Sequence, residues 1–202
     1  MKLATHRRMS NIQYPMKILY VTGNPAKLRT AQNFLQGMGI EVEQGIVDIT
    51  EIQSDSIEEI ALDKAKKSFK ILQQPLIVND SGWFFLGLNG FPGPFMKYIN
   101  DWFSAENYLD LTKNVKDRRV ILKQVIVWTD GTEYKVFNHD THCFLHKEIR
   151  GDSPRMSDNL IGPTEDGISF GEMTEKEDFK LDGEDAVWRE LVSFLQSLPK
   201  SA

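Results

Sequence analysis

The sequence predicts an α/β fold with some parallel strand pairing. Three observations predict it. Residues 17–80 run in a strand–helix–strand–helix–strand order, the apolar runs are short enough to be buried strands, and apolar residues between them recur at helical spacing. Residues 17–22 read as a buried strand. Pro25 suits the first turn of the helix that follows, where a missing N–H costs nothing. Leu28, Ala31, Phe34 and Leu35 continue that helix to about Gly37 and Gly39. Residues 40–48 alternate as a strand. Ser56 and Glu59 form a capping-box pattern ahead of Ile60, Leu62, Ala65 and Phe69, which predicts a helix over 56–72. Pro75 opens another strand, PLIVND, expected to end at Ser81-Gly82.

The second half has a different pattern. Residues 94–113 look helical. Residues 119–128 and 133–146 alternate on either side of Thr129-Asp130-Gly131-Thr132, a hairpin signature. A polar loop with Pro154 and Pro163 follows Gly151. Asp182 then caps a last helix holding Val187, Leu191, Phe194 and Leu195. The expected organisation is a disordered leader over residues 1–15 and one α/β domain over 16–200. That domain carries an inserted β-rich lobe at about 115–150.

Composition sets the broad class. With 202 residues, 41% of them apolar, the chain can bury one sizeable core and is not disordered by composition. No apolar run approaches the length of a membrane span. A net charge of −5 argues against a nucleic-acid polymer as the main partner. A single cysteine, Cys143, allows no internal disulfide and fits a reducing, cytoplasmic setting. It lies in an alternating run and reads as a buried thiol. The first fifteen residues lack the apolar core of a secretion signal. His142 and His146 share one face by parity and His139 the other. With no partner ligands at metal spacing, all three read as surface histidines. Trp188 reads as a core or dimer contact.

Four clusters stand at expected strand ends, where open α/β sheets hold their ligands. In Thr22-Gly23-Asn24-Pro25-Ala26-Lys27 a strand feeds a helix N-terminus, whose free N–H groups and dipole favour an anion. Gly23 allows close approach, Thr22 and Asn24 add neutral donors, and Lys27 adds charge. The set suits phosphate but lacks the Walker A spacing. In Asp48-Ile49-Thr50-Glu51-Ile52-Gln53, Glu51 can reach the same mouth. A carboxylate beside phosphates needs a cation between them, ordinarily Mg²⁺. Asn79-Asp80-Ser81-Gly82 puts an acid at the end of a buried strand. Metal binding or general-base work would offset the cost of that burial. Gly90-Phe91-Pro92-Gly93-Pro94-Phe95-Met96-Lys97 is a stiff, close-approach loop. It carries Lys97 into the first turn of a helix, where a lysine is favourable if an anion sits beside it.

Taken in order, these clusters resemble the inosine triphosphate pyrophosphatase family of house-cleaning nucleotidases. That pattern runs TGNxxK, an acidic metal loop, (E/D)DSGL and GGxPGxxxK; here it reads TGNPAK, DITEIQS, NDSGW and NGFPGPFMK, over about residues 17–103. EEIALDKAKKS also matches and places Lys64 on the family's phosphate-binding lysine. The resemblance implies an elongated mixed α/β fold of two lobes around a central cleft, an architecture of the inosine triphosphatase and Maf type. It also implies Mg²⁺-dependent hydrolysis of nucleoside triphosphates at the α–β bond, with non-standard purines such as inosine and xanthosine preferred. The implied product pair is monophosphate and pyrophosphate, and the implied assembly is a homodimer. Carried over, Thr22, Gly23, Asn24, Lys27, Lys64, Ser81, Gly82 and Lys97 bind substrate. Glu51 and Asp80 serve the metal, and Asp80, with Lys27, serves catalysis, Asp80 as the base.

The C-terminal half departs from the pattern. Arg155-Met156-Ser157-Asp158-Asn159-Leu160-Ile161 stands where the family has FGxDPxF, and only Asp158 clearly matches. Ser169-Phe170-Gly171-Glu172-Met173 matches the next segment. Lys176-Glu177-Asp178-Phe179-Lys180-Leu181-Asp182 replaces KNxxSHR and leaves only Lys176 in place. Those motifs read the base, so altered base choice follows. Arg155 is left to stack through its guanidinium plane, with Asp158 and Lys176 completing the substrate set. Asn79 stands where the family has an acid. Three readings stay open: a pyrophosphatase with altered specificity, a catalytically impaired nucleotide-binding sensor, and a phosphatase acting on another metabolite.

Overall fold

In the computed structural model, residues 16–36, 38–173 and 186–198 are described. The expected leader at 1–15, Lys176 and the Asp182 cap lie outside them. β1 (Met16–Val21) leads into α1 (Pro25–Gln36), then β2 (Ile40–Gly45) and α2 (Ile57–Leu72). β3 (Leu76–Phe85) and the two-residue β4 (Pro92–Gly93) precede α3 (Met96–Trp102) and α4 (Ala105–Thr112). The long strands β5 (Arg119–Thr129) and β6 (Tyr134–Leu145), the short β7 (Ile161–Gly162) and α5 (Ala186–Ser197) complete the chain.

The strands form one seven-stranded sheet in the order β2-β1-β3-β5-β6-β7, with β4 added beside β3. β1 pairs parallel with β2 and with β3; β5 and β6 pair antiparallel. The segment expected as an inserted lobe therefore extends the main sheet, with Leu76–Phe85 in register against Thr129–Val120. Side chains alternate between the two faces. On one face Tyr20, Ile77, Ile126 and Trp128 pack under α1 and α5, where Trp188 stacks on Phe34 at 6.0 Å. On the other, Val21, Val78 and Val125 pack under Ile57, Ala61 and Ala65 of α2. A third cluster, around Phe85, Val120, Leu122, Cys143 and Leu160, fills the far end of the sheet. Cys143 is buried, as its alternating run predicts.

Several boundaries differ from the expectations, each for a local reason. β3 does not end at Ser81-Gly82 but runs on to Phe85, because β5 pairs with it throughout. Gly82 is not a turn residue: a Cβ there would sit 2.5 Å from the Gly93 carbonyl oxygen, so it allows β4 to close on β3. The helix expected over 94–113 is two helices. Ser104 interrupts it with a complete capping box to Asn107 that starts α4 afresh. The strand expected over 40–48 stops at Gly45, where its partner β1 stops. The box at α2 is half made: Ser56 accepts from the Glu59 N–H at 3.2 Å, but the Glu59 carboxylate accepts from Ser54 instead. His146 is not on the surface. It is 3% exposed, just past the end of β6.

Candidate active site

The site is a notch in the edge of β3. One edge of β3 is covered by β5 throughout, so β1 and β4 share the other. β1 pairs there only as far as Val78, and β4 takes over at Trp83. The residues between are Asn79, Asp80, Ser81 and Gly82, the segment picked out by sequence as a strand end. It lies mid-strand, but it has the open edge of a strand end. Buried backbone polar groups need partners. Here Lys27 supplies one, its Nζ donating to the Asn79 carbonyl oxygen at 3.1 Å.

The TGNPAK loop is held rigid from both sides. The Thr22 hydroxyl oxygen accepts from the Asn24 N–H at 3.0 Å, and the Gln44 amide donates to the Thr22 carbonyl at 2.7 Å. Asn24 caps α1 through its side-chain oxygen, which accepts from the Lys27 N–H at 3.4 Å. Pro25 occupies the first helical position. Space in front of Gly23 is open: an added Cβ would meet nothing within 4 Å. Gln44 escaped the sequence reading because its role depends on the parallel pairing of β2 with β1. An amide in an exposed strand position carries no signal by itself.

Charge gathers around the notch from four elements. Lys64, on α2, holds Glu51 at 2.5 Å. Burial pushes the Glu51 carboxyl up, but the Lys64 hydrogen bond and charge, helped by Lys97 and Lys27, bring it below the ordinary range. Burial pushes the Lys27 ammonium down; Asp80 and Glu51 pull it back, while Lys64 and Arg155 push with burial. The first oxygen of Asp80 accepts from the Ser81 N–H at 2.9 Å. Asp80, Lys64, Glu51 and Arg155 thus all act on Lys27, and Lys97 acts on Glu51, although these residues come from across the sequence. Lys97 lies in the first turn of α3, which begins at Met96 rather than at Pro94.

Asp158 stands apart from that set, in the short turn Met156–Asn159. Burial raises its carboxyl, opposed by a hydroxyl donated from Ser153 at 3.0 Å and by the charge of Arg155. Arg155 is exposed and links the two groups electrostatically. Of the histidines, His142 is exposed and His139 is half-buried. The reading of a surface position fails for His146 because it sits against Gly162 and the Ile168 carbonyl.

Among the described residues no cluster of three or more His, Cys, Asp or Glu side chains could cage a metal. The donor chemistry nonetheless fits Mg²⁺. This ion takes one or two carboxylates and completes its shell with water and phosphate oxygens. Glu51 and Asp80 are two hard oxygen donors that act on the same lysine, Lys27.

No helix among the described residues is long and apolar enough to cross a membrane. Comparison with known proteins gives a consistent result. The model of the Ham1 family matches residues 18–193. The dITP/XTP pyrophosphatase of Methanopyrus kandleri is 35% identical over 167 residues, covering 82% of this chain and 89% of the relative. That of Hyperthermus butylicus is 31% identical over 179 residues, covering 89% and 94%. Among solved structures, the Ham1 protein of Coxiella burnetii superposes with a TM-score of 0.77 at 19% identity, covering 89% of this chain and 98% of that one. The Staphylococcus aureus Ham1 protein gives 0.75 at 20% identity, covering 91% and 100%. Both share the mixed α/β architecture with its central sheet. Matched over nearly all of its described length, this chain belongs to the Ham1 family.

Proposed function

We propose that this protein hydrolyses nucleoside triphosphates of non-standard purines, inosine and xanthosine among them, to monophosphate and pyrophosphate. The observation that carries the reading is the notch: a carboxylate, Asp80, on an unpaired strand edge with Lys27 beside it, and a second carboxylate, Glu51, held by Lys64 and within reach of Lys97 and Lys27. The relatives' activity on dITP and XTP supports the same reading.

The roles follow from charge and position. The α1 N-terminus, with Thr22, Gly23 and Asn24, receives phosphate oxygens through backbone N–H groups. Lys27, Lys64 and Lys97 neutralise the triphosphate, and Ser81 and Gly82 form the floor beside it. Asp80 orients water for in-line attack at the α-phosphorus and takes its proton. Glu51 and Asp80 would hold Mg²⁺, which offsets charge on the phosphates when bound. Arg155, Asp158 and Lys176 serve the base end. The family's SHR triplet is absent from the sequence, so base choice differs from that pattern. The acidic chain works on a small nucleotide, with neither a nucleic-acid polymer nor a membrane as partner. It works as a homodimer in the cytoplasm.

The ion pair of Glu51 with Lys64 favours a second reading, a nucleotide-binding sensor of impaired turnover, since one metal donor is already engaged. Replacing Asp80 by Asn separates the two. The enzyme reading predicts a loss of pyrophosphate release of about 10²–10⁴-fold, the usual contribution of a general base, with nucleotide still bound. An unchanged rate would overturn it.

A further inference from the structure

The face of the sheet opposite Asp80 carries a row of polar residues that starts at Ser81 and leads away from the phosphate site. Ser81 on β3, Gln124 on β5 and His139 on β6 lie directly opposite one another in register. By strand alternation all three point to the face that carries Ile77, Ile126 and Phe137. The row above them, Asn79–Ile126–Phe137, borders the α1/α5 core. The row below, Trp83–Leu122–Thr141, borders the far core. Three strands thus break their apolar pattern at the same level, between two separate hydrophobic clusters. One such break is common in a strand; three aligned breaks make a polar strip across the sheet.

The strip is also unfinished. Gln124 is 8% exposed, and its Oε1 has no hydrogen-bond partner among the described residues. Thr141, 3% exposed and one step along β6 on the same face as His139, has an Oγ1 in the same state. Leaving such atoms unpaired is costly, and native proteins rarely do so without a use. Ser81 and His139, at the two ends of the row, are only half-buried. The strip begins at the notch, because Ser81 is the neighbour of Asp80.

We propose that this row reads the nucleobase, with the Gln124 carboxamide as its centre. The proposal rests on the pyrophosphatase reading and adds to it the residue that selects the base. A 6-keto purine presents a ring N–H beside a carbonyl oxygen. A carboxamide presents an acceptor beside a donor, so the two edges match: Gln124 Oε1 accepts from the ring N–H and its amide donates to the keto oxygen. Adenine lacks the ring N–H. A site built to hydrogen-bond one substrate edge rejects the analogue without it, because its own buried groups are then left unpaired. Gln124 would thus do part of the work of the absent SHR triplet.

The test compares the unmodified protein with Gln124→Met and Gln124→Glu. Met keeps the volume without polar atoms; Glu keeps the acceptor and repels the keto oxygen. The readouts are kcat/KM for inosine and adenosine triphosphates, and calorimetric binding of inorganic tripolyphosphate. We expect the inosine-to-adenosine ratio to fall about tenfold or more in Met, the scale of a lost buried hydrogen bond, and further in Glu. Tripolyphosphate binding should stay unchanged. Equal losses for both nucleotides, or an unaltered ratio in two folded variants, would overturn the proposal. If the unmodified protein releases no pyrophosphate from any nucleotide, the underlying enzyme reading fails, and the base-reading role falls with it.

Discussion

Lys27 is the residue on which most of the site depends. Its backbone N–H is capped by Asn24, and its ammonium bonds to the strand edge that Asp80 shares. Its burial has a measurable sign. The ammonium titrates below an ordinary lysine, so it loses its charge at a lower pH than free lysine would. In the proposed role, bound triphosphate pushes it back up. The alkaline limb of kcat/KM, which reports the free enzyme, is therefore expected at lower pH than the alkaline limb of kcat. Coincident limbs at the ordinary lysine value would refute this. Glu51 gives the mirror case. Lys64 holds its carboxyl low, so Lys64→Met should move the acid limb of kcat/KM upward, as the carboxylate then protonates sooner on acidification. In the role proposed for Lys64, the same substitution removes a charged phosphate contact and should raise KM by about tenfold to a hundredfold. Both shifts can be read from one set of pH–rate profiles.

Among the elements, α2 and β3 do the positioning. α2 presents Lys64 to the notch, and its N-terminus is fixed by Ser56. Ser56→Ala should cost about 1 kcal/mol of stability, the usual value of such a cap, as measured by urea denaturation. Loss of far more would mean that the hydroxyl has a second role. Much of this level was legible in the sequence. Pro25, Ser56 and the 129–132 turn mark boundaries by local chemistry that tertiary structure leaves in place. β3 was misjudged because Ser81-Gly82 has the composition of a turn. The glycine is there for the close approach of Gly93, a residue eleven positions away that periodicity cannot reveal. The break at Ser104 was hidden for a similar reason: Met96, Ile99, Ala105 and Tyr108 keep helical spacing on both sides of it. His146 was misassigned because its burial comes from β7 and the 168 loop, not from its own strand. The sequence offered candidate residues. The gap between β1 and β4 at Asn79–Gly82 was not legible there, because pairing partners lie far apart in sequence.

At the scale of the whole molecule, one sheet carries three hydrophobic clusters and the candidate site. The α1/α5 core closes over Tyr20, Ile77 and Trp128, with Trp188 packed between Phe34 and Tyr20. Trp188→Ala should therefore destabilise the fold by about 3–5 kcal/mol, the range for deleting a large buried aromatic. Because Trp188 lies on the face away from Asp80, kcat at low temperature should fall far less than the melting temperature does. A complete loss of activity in the still-folded variant would place α5 in the site itself. Cleavage of the α–β bond at the notch is read from the products formed from inosine triphosphate with Mg²⁺ present. Inosine monophosphate and pyrophosphate are expected in equal amounts, with no diphosphate intermediate. Inosine diphosphate and orthophosphate, or no product at all, would contradict that cleavage.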